Sequence, residues 1–148
     1  LVEVTGGEPF LQKEVYNLIK RLLDKGYKVL VETNGSMSIK DGDRRVVIIL
    51  DIKTPGSGMS KEMDLSNLDN IKNTDEIKFV ITSRTDYDWS KEMIQRYRLK
   101  DKCHILFSPA FGILPPEDLS TWILEDGLEV RLNHQLHKYI FSPEKKSV

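Results

Sequence analysis

The sequence is poor in cysteine, with Cys103 as the one thiol among 148 residues. A lone cysteine excludes an intrachain disulfide framework and agrees with a cytoplasmic setting. No apolar run approaches the ~20 residues that a membrane-spanning helix needs, and no signal-peptide pattern is visible. The 22 basic and 23 acidic residues nearly cancel, so no net field attracts nucleic acid or an anionic membrane. We therefore expect a cytoplasmic protein without a direct nucleic-acid or membrane partner.

Several catalytic patterns are missing as well. The sequence has no Ser-His-Asp order, no P-loop and no zinc-type Cys/His spacing, so hydrolase, NTPase and zinc-site hypotheses have no support. Cys103 begins an apolar run and is expected to be a buried small hydrophobe rather than a nucleophile. Among the three histidines, His104 is expected at the surface and His134 is left open. His137 fits a substrate contact and a structural hydrogen bond equally well.

Apolar runs predict six strands in what we expect to be one domain over residues 1–148, with a polar tail at 142–148. The predicted strands are residues 1–4, 28–33, 46–53, 76–81, 103–108 and 128–133. Helical periodicity predicts helices over 11–23, 89–97 and 115–124, with Asp86 or Asp88 as the cap of the second and a weak helix at 65–71. This alternation indicates an α/β fold with a mostly parallel sheet covered by helices.

The side chains of each strand alternate between two faces, and one of those faces is rich in charge. The other face carries aliphatic and aromatic residues that suit a helix layer. The polar face collects Glu3, Thr5, Glu32, Asn34, Asp51, Lys53, Glu76, Lys78, Arg131, Asn133, Gln135 and His137. A polar lumen is costly unless charges are paired or meet a ligand, so we predict a partial (β/α) TIM-like barrel around a polar ligand. The alternative is an antiparallel sheet with one solvated face, which the intervening helices disfavour.

Five segments follow predicted strands and are expected to converge at one rim. They are residues 5–8, 33–36, 53–58, 108–111 and 133–138. Ligands in parallel α/β folds bind beyond the carboxyl ends of the strands. The rim is therefore the predicted ligand site.

The segment Thr5-Gly6-Gly7-Glu8-Pro9 follows the first strand and precedes a helix. Paired glycines permit positive φ and close approach of the backbone to a ligand. Glu8 supplies a carboxylate that can accept from a ligand ammonium, and Pro9 biases Glu8 toward extended geometry. A tight strand-to-helix turn is the alternative, but the whole pentad at the mouth of a β-α unit favours a ligand site.

This pentad resembles the GGEP motif of radical S-adenosylmethionine (SAM) enzymes, which contacts the methionyl amino group of SAM. That superfamily holds an iron–sulfur cluster on three thiolates, normally spaced C-x3-C-x2-C, and the sequence has no such run. We expect that a preceding segment carries the first strand, the cluster loop and the usual magnesium contact. No metal ligand is therefore assigned in this chain, and we predict that the chain alone cannot cleave SAM.

Further segments make the resemblance more specific. Residues 31–35, 51–59, 76–80 and 131–139 are similar to the 7-carboxy-7-deazaguanine synthase family, and the Gln-Leu-His-Lys segment is the most specific part. The resemblance implies a radical SAM carbon–nitrogen lyase of queuosine biosynthesis, a tRNA-modification pathway. Its substrate would be 6-carboxy-5,6,7,8-tetrahydropterin, and its cofactors SAM, a [4Fe-4S] cluster and Mg²⁺. A flavodoxin-type or other electron donor is implied as a partner, and an open barrel favours a homodimer.

By position, the resemblance also assigns residues to the two small molecules. It places Gly6, Gly7, Glu8, Asn34, Asp51, Ile52, Lys53, Ser108, Pro109, Ala110 and Phe111 at SAM. It places Thr5, Glu32, Gln135, His137 and the C-terminal Val148 at the pterin. No catalytic residue is identified. A glycyl-radical-enzyme activase, which shares the pentad, and a cluster-free nucleotide- or pterin-binding domain remain as alternatives.

Overall fold

A computed structural model describes residues 1–60 and 63–141 of the chain, so the predicted contact of Val148 and the tail at 142–148 lie outside the described residues. The described residues form six strands and four α-helices. The strands are β1 (Val2–Val4), β2 (Val29–Thr33), β3 (Val47–Ile52), β4 (Glu76–Ile81), β5 (His104–Pro109) and β6 (Arg131–Leu132). The helices are α1 (Glu14–Asp24), α2 (Arg84–Arg96), α3 (Pro116–Glu125) and α4 (His137–Ile140). Over this part of the chain, every helix is too short or too polar to span a membrane.

The six strands pair in sequence order as one parallel sheet, β1-β2-β3-β4-β5-β6. Parallel crossovers are right-handed, so a sheet wound in one direction places its crossovers on a single face. Within the part of the chain that the structure describes, the opposite face is left without a helix layer. This arrangement confirms the predicted α/β partial barrel, and it excludes the antiparallel alternative.

The helix-covered face forms the core. Val29, Val31, Ile77 and Phe79 on this face are fully buried, as is Phe107. The rings of Phe79 and Phe107 pack edge to face with centroids 5.6 Å apart, an arrangement that stabilises aromatic pairs beyond their buried area. The predicted apolar face is therefore confirmed. Because strand residues alternate between the two faces, the residues between these apolar ones point to the opposite face of the sheet.

Two local predictions are wrong. The cap of α2 is Ser83, whose hydroxyl accepts from the backbone N–H of Asp86 at 3.3 Å, and neither Asp86 nor Asp88 caps the helix. The last strand is much shorter than the predicted 128–133, because it contains only Arg131 and Leu132 and the chain then turns into α4.

The connection between β2 and β3 contains no helix. It is held by Asn67, which lies on a 3-10 helix (Leu65–Asp69) where the sequence predicted a weak helix, and which is fully buried. The Asn67 amide donates to the carbonyls of Gly35 (3.1 Å) and Met37 (2.9 Å) and accepts from the N–H of Ile39 (2.9 Å). One side chain thus satisfies three backbone groups that are buried or partly buried and that would otherwise be costly to bury.

Candidate functional site

The loops that follow the strands meet along one edge of the sheet. Because the six strands are parallel, their carboxyl ends share that edge. The segments 5–8, 33–36, 53–58 and 108–111 each follow one of β1, β2, β3 and β5, and residues 133–138 follow β6. The predicted convergence of these five segments is confirmed. The face without helices opens beside this edge, and we refer to it as the cup face.

Charged side chains from three neighbouring strands form a network on the cup face. Lys78 on β4 contacts Glu32 on β2, and its Nζ lies 4.0 Å from Asp51 Oδ2 on β3. Lys53 Nζ lies 2.6 Å from the same Asp51 oxygen. Thr5, at the end of β1, donates its hydroxyl to Glu32 Oε2 at 3.2 Å. Two carboxylates and two ammonium groups therefore balance in charge, and together with Thr5 they line the centre of the cup.

Asp51 has an unsatisfied oxygen. Its side chain is 13% exposed, and Oδ2 faces Lys53 and Lys78. Oδ1 is buried and has no hydrogen-bond partner among the described residues. An unpaired buried acceptor costs about 1–3 kcal/mol. A donor from a bound molecule would remove that cost, so Asp51 is suited to receive a hydroxyl or N–H group.

Two further polar pairs continue the cup face toward the far edge of the sheet. Arg131 on β6 lies 3.4 Å from Glu76 Oε1 on β4. Beyond the end of β6, the Asn133 amide donates to the Ser108 hydroxyl at 3.1 Å. Ser108 therefore lies on the cup face, and the Asn133 amide holds its hydroxyl in place.

The glycine pair of the pentad has the predicted geometry. Gly6 has φ 95° and Gly7 has φ 55°, a region that side chains disfavour. Among residues 1–60 and 63–141, no atom outside the adjacent residues lies within 4 Å of a Cβ built at either position, so the turn faces open space there. A tight turn uses positive φ too, but this turn also leaves room for a ligand beside its backbone.

Glu8 is engaged by the protein itself. It is buried, and its carboxylate accepts from the Thr33 hydroxyl (2.8 Å), the Asn34 N–H (2.8 Å) and the Phe10 N–H (3.1 Å). These contacts fasten the pentad to the end of β2 and cap the first helical turn. Contact of this carboxylate with a ligand ammonium stays a prediction and would have to share these donors.

The loop after β3 is fixed by a residue that the sequence did not single out for this role. Asp86 at the start of α2 is buried and accepts from the Gly56 N–H at 2.8 Å and from the Thr82 N–H at 3.1 Å. Burial alone would raise the Asp86 pKa, but the hydrogen bonds from Thr82 and Gly56 outweigh it and hold the pKa below its usual value. The signal in the sequence that could have indicated this contact is a glycine, Gly56, in a loop that lies against the start of a helix.

Three further predicted SAM residues at the rim differ in how much of each residue is accessible to a ligand. Ile52 is buried toward the helices, so only its backbone is available to a ligand. The N–H of Ala110 donates to the Ile81 carbonyl at 2.9 Å and ties this loop to β4. Phe111 is 40% exposed, and its ring contacts Lys138, whose Nζ lies 4.7 Å from the ring centroid.

Gln135 and His137 do not share a strand face with Glu32. The parity that placed them there assumed an extended chain, whereas β6 ends at Leu132 and α4 begins at His137. Both side chains are exposed. The nearby His134 ring packs edge to face on Tyr139, with centroids 5.9 Å apart. The predicted shared face is therefore wrong, and the pterin contacts of both residues stay predictions.

The donor set of this chain does not fit an iron–sulfur cluster. The one thiol, Cys103, lies at the opposite end of β5 from the rim and is partly buried. Burial raises its pKa to about 12, and Asp75 adds to the shift. Across the described ranges 1–60 and 63–141, no three His, Cys, Asp or Glu side chains are grouped to hold a metal ion. Ligands for a cluster and for magnesium are therefore not found in this part of the chain.

The parallel sheet wound in one direction, the glycine turn after β1 and the charged cup define a partial (β/α) barrel of the radical SAM type. No family model matches the chain. It is 43% identical over 162 aligned positions to the 7-carboxy-7-deazaguanine synthase of Koribacter versatilis (strain Ellin345), across 100% of this chain and 72% of the relative.

Two other relatives carry the same name. The Chlorobaculum tepidum protein is 42% identical, with 99% of this chain and 68% of the relative covered. The Clostridium acetobutylicum protein is 36% identical, with coverages of 99% and 69%. The chain belongs to the 7-carboxy-7-deazaguanine synthase family.

Proposed function

We propose that this chain forms the part of a 7-carboxy-7-deazaguanine synthase that binds SAM and the pterin. The proposed reaction converts 6-carboxy-5,6,7,8-tetrahydropterin to 7-carboxy-7-deazaguanine through ring contraction and loss of ammonia. The observation that carries the proposal is the network of Glu32, Lys78, Asp51 and Lys53 on an uncovered sheet face. Charges in that position are hard to explain as packing, since a barrel closed only for stability fills its interior with branched aliphatics.

The roles of the residues follow from hydrogen-bonding capacity. Glu32, steadied by Thr5, offers a carboxylate to the N–H groups of the pterin ring. Asp51 offers its unpaired Oδ1 to a hydroxyl or N–H of SAM, and the turn at Gly6 and Gly7 offers backbone groups to its methionyl end. When bound and reductively cleaved, SAM supplies the radical that starts the rearrangement. The protein's task is to orient the two molecules and exclude water.

Cluster chemistry is not assigned to residues of this chain. A three-thiolate site needs two more cysteines than the sequence contains, and Cys103 keeps its proton at neutral pH. We therefore propose that the chain binds SAM but does not cleave it alone. In the full reaction, a [4Fe-4S] cluster, Mg²⁺ and a flavodoxin-type or other electron donor would have to be supplied by groups beyond those described.

Binding calorimetry tests the proposal directly. Titration of the chain with SAM and with the carboxytetrahydropterin is expected to show one site for each. Asp51→Asn should weaken SAM binding about tenfold, the effect of losing roughly 1.4 kcal/mol. The matched control is Asp69→Asn, because the Asp69 side chain is 83% exposed and outside the cup. Absence of binding by the unaltered chain would refute the proposal.

A second assay separates binding from catalysis. The chain is incubated with SAM and dithionite, and 5′-deoxyadenosine is measured by chromatography. No product is expected without added cluster ligands. Product formation would show that the chain cleaves SAM alone and would contradict the division of roles proposed above.

The single thiol favours a second candidate, a cluster-free domain that binds a nucleotide or pterin without catalysis. Both candidates bind the ligands, so the distinguishing evidence is the coding sequence upstream of Leu1. An in-frame C-x3-C-x2-C motif favours the synthase, whereas a start codon at Leu1 favours the binding domain. A glycyl-radical-enzyme activase is the third alternative. The relatives described above do not support it, since they are named 7-carboxy-7-deazaguanine synthase.

The proposal also includes a cytoplasmic homodimer. The sheet ends in the short strands β1 and β6, and uncovered strand edges favour association. Light scattering of the purified chain measures the mass directly: about twice the 17.1 kDa monomer is expected, and a monomeric mass at micromolar concentration would contradict it.

A further inference from the structure

Lys78 is the only residue of the charged network that the family resemblance leaves without a ligand. It lies in the middle of β4, directly opposite Asp51 in the register between β3 and β4. Its side chain is 16% exposed. A lysine that is mostly desolvated needs charge partners, and Lys78 has two within reach.

The two partners belong to different ligand subsites. Under the proposed function, Glu32 contacts the pterin and Asp51 contacts SAM. Glu32 is on β2, so Lys78 reaches across the intervening strand β3 to contact it. The same ammonium lies 4.0 Å from Asp51 Oδ2, beyond hydrogen-bond distance but within range of strong attraction at low dielectric.

Besides their shared contact with Lys78, the Glu32 and Asp51 carboxylates have different partners. Asp51 also has Lys53 at 2.6 Å, whereas the other contact of Glu32 in the network is the neutral hydroxyl of Thr5. A donor arriving at Glu32 changes the attraction that holds Lys78 there, and a donor arriving at Asp51 changes the attraction on the other side. The electrostatic energy of the Lys78 ammonium would therefore depend on whether a ligand is bound at either carboxylate.

We propose that Lys78 is a positioning residue that couples the binding of the pterin to the binding of SAM. This inference rests on the proposed function, because it takes Glu32 and Asp51 as the two ligand contacts. Coupling between sites is reciprocal, so each ligand changes the affinity for the other by the same factor. For a shared charge, a coupling of at least fivefold is expected, the lower end of the usual range of about 1–3 kcal/mol.

The test is a calorimetric cycle on the intact chain. The Kd of the carboxytetrahydropterin is measured with and without saturating SAM, and the Kd of SAM with and without the pterin. In the unaltered chain, the ratio of the two values should differ from one by fivefold or more. Lys78→Met should bring the ratio to within twofold of one, and Lys78→Arg, which keeps a long cation, should retain most of the coupling.

Two further variants make the result specific. Lys91→Met removes a lysine of similar size that pairs with Asp126 at 2.6 Å on the helix side of the sheet, and its coupling should match that of the unaltered chain. Lys78→Gln replaces Lys78→Met if thermal melting shows that the methionine variant does not fold. A merely structural role of Lys78 would lower the melting temperature or both affinities and leave the coupling ratio unchanged.

The outcomes separate the inference from the proposed function. If both ligands bind and the ratio is one, or persists in Lys78→Met and Lys78→Gln, the coupling role of Lys78 is overturned while the proposed function stands. If the unaltered chain binds neither ligand, the proposed function fails and the inference fails with it. Loss of the ratio in Lys78→Met and Lys78→Gln, with retention in Lys78→Arg and Lys91→Met, supports the inference.

Discussion

Replacement of Gly56 by alanine tests whether the loop after β3 is held against α2 by close contact. A Cβ at this position would lie 2.5 Å from Asp86 Oδ2 and closer still to the Thr82 hydroxyl. The Thr82 hydroxyl donates a hydrogen bond to Asp86 Oδ2, and Oδ1 of the same carboxylate accepts from the Gly56 N–H. The two side chains are therefore held in place and cannot easily rotate away. The loop would have to move, and the 2.8 Å hydrogen bond from Gly56 to Asp86 would lengthen or break.

The magnitude follows from two overlapping effects. Insertion of a methyl group into a packed site costs about 1–3 kcal/mol, and loss of a hydrogen bond to a charged group costs about 1.5–3 kcal/mol. Movement of the loop would relieve the clash but break the hydrogen bond from Gly56 to Asp86, so the two costs overlap and do not simply add. We therefore expect the free energy of unfolding to fall by about 2–4 kcal/mol in total. With a urea dependence of ~2 kcal/mol per molar, the middle of the usual range for small proteins, the unfolding midpoint should fall by roughly 1–2 M.

The assay is urea unfolding followed by circular dichroism, with Gly58→Ala as the matched control. Gly58 lies in the same loop with φ 69°, and no atom of the described residues beyond its chain neighbours is within 4 Å of an added Cβ. It should therefore lose only the backbone cost of about 1–2 kcal/mol. SAM affinity should also fall in Gly56→Ala, because the displaced loop follows Asp51 on β3. A midpoint for Gly56→Ala equal to that of Gly58→Ala would refute the argument.

Four further predictions concern three side chains outside the charged network. Thr33→Val removes the hydroxyl that donates to Glu8 and should cost about 1–3 kcal/mol in urea unfolding, while Thr33→Ser should cost less than half as much; equal costs would contradict a hydrogen-bond role. Cys103, with a pKa raised to about 12, should react with a thiol reagent at pH 8 about 100-fold or more slowly than in urea, and similar rates would show an accessible thiolate. The same shift should make stability fall as pH rises from 9 to about 12, because the unfolded chain releases this proton first; an identical decline in Cys103→Ala would assign it to other groups. Tyr87→Phe removes hydrogen bonds to the Trp122 carbonyl (2.8 Å) and Asp126 (2.9 Å) and should lower stability by about 1 kcal/mol, measured as a shift in the urea midpoint; an unchanged midpoint would contradict it.

The strand faces were predictable because one side of the sheet is covered by helices. A slip of one residue would bury Glu32, Asp51 or Lys78 in the core, so the alternating pattern determines their direction. The sequence therefore sufficed to place these three residues on a common face. It did not show that Lys78 contacts Glu32 across a strand, because that contact depends on the twist and stagger of the sheet.

Most of what the sequence did not show is contact between residues distant in sequence. The sequence predicted a ligand contact for Glu8, which stays a prediction, but it did not show that the Glu8 carboxylate accepts from Thr33, 25 residues away. Asp86 or Asp88 was predicted to cap α2, but the Asp86 carboxylate instead accepts a hydrogen bond from the N–H of Gly56, 30 residues away. For His137 the error was local, because the alternation rule was extended past the end of β6 into a short helix.

The role of Asn67 has a consequence for how the chain opens. One amide joins the loop after β2 to the 3-10 helix before β4, so neither segment can detach while the other stays closed. Amide protons of the two segments should therefore exchange with solvent at a common rate, as a single cooperative unit. A crossover built around a helix is expected to fray from the ends of the helix, whereas this one is expected to open in one step when the Asn67 hydrogen bonds break.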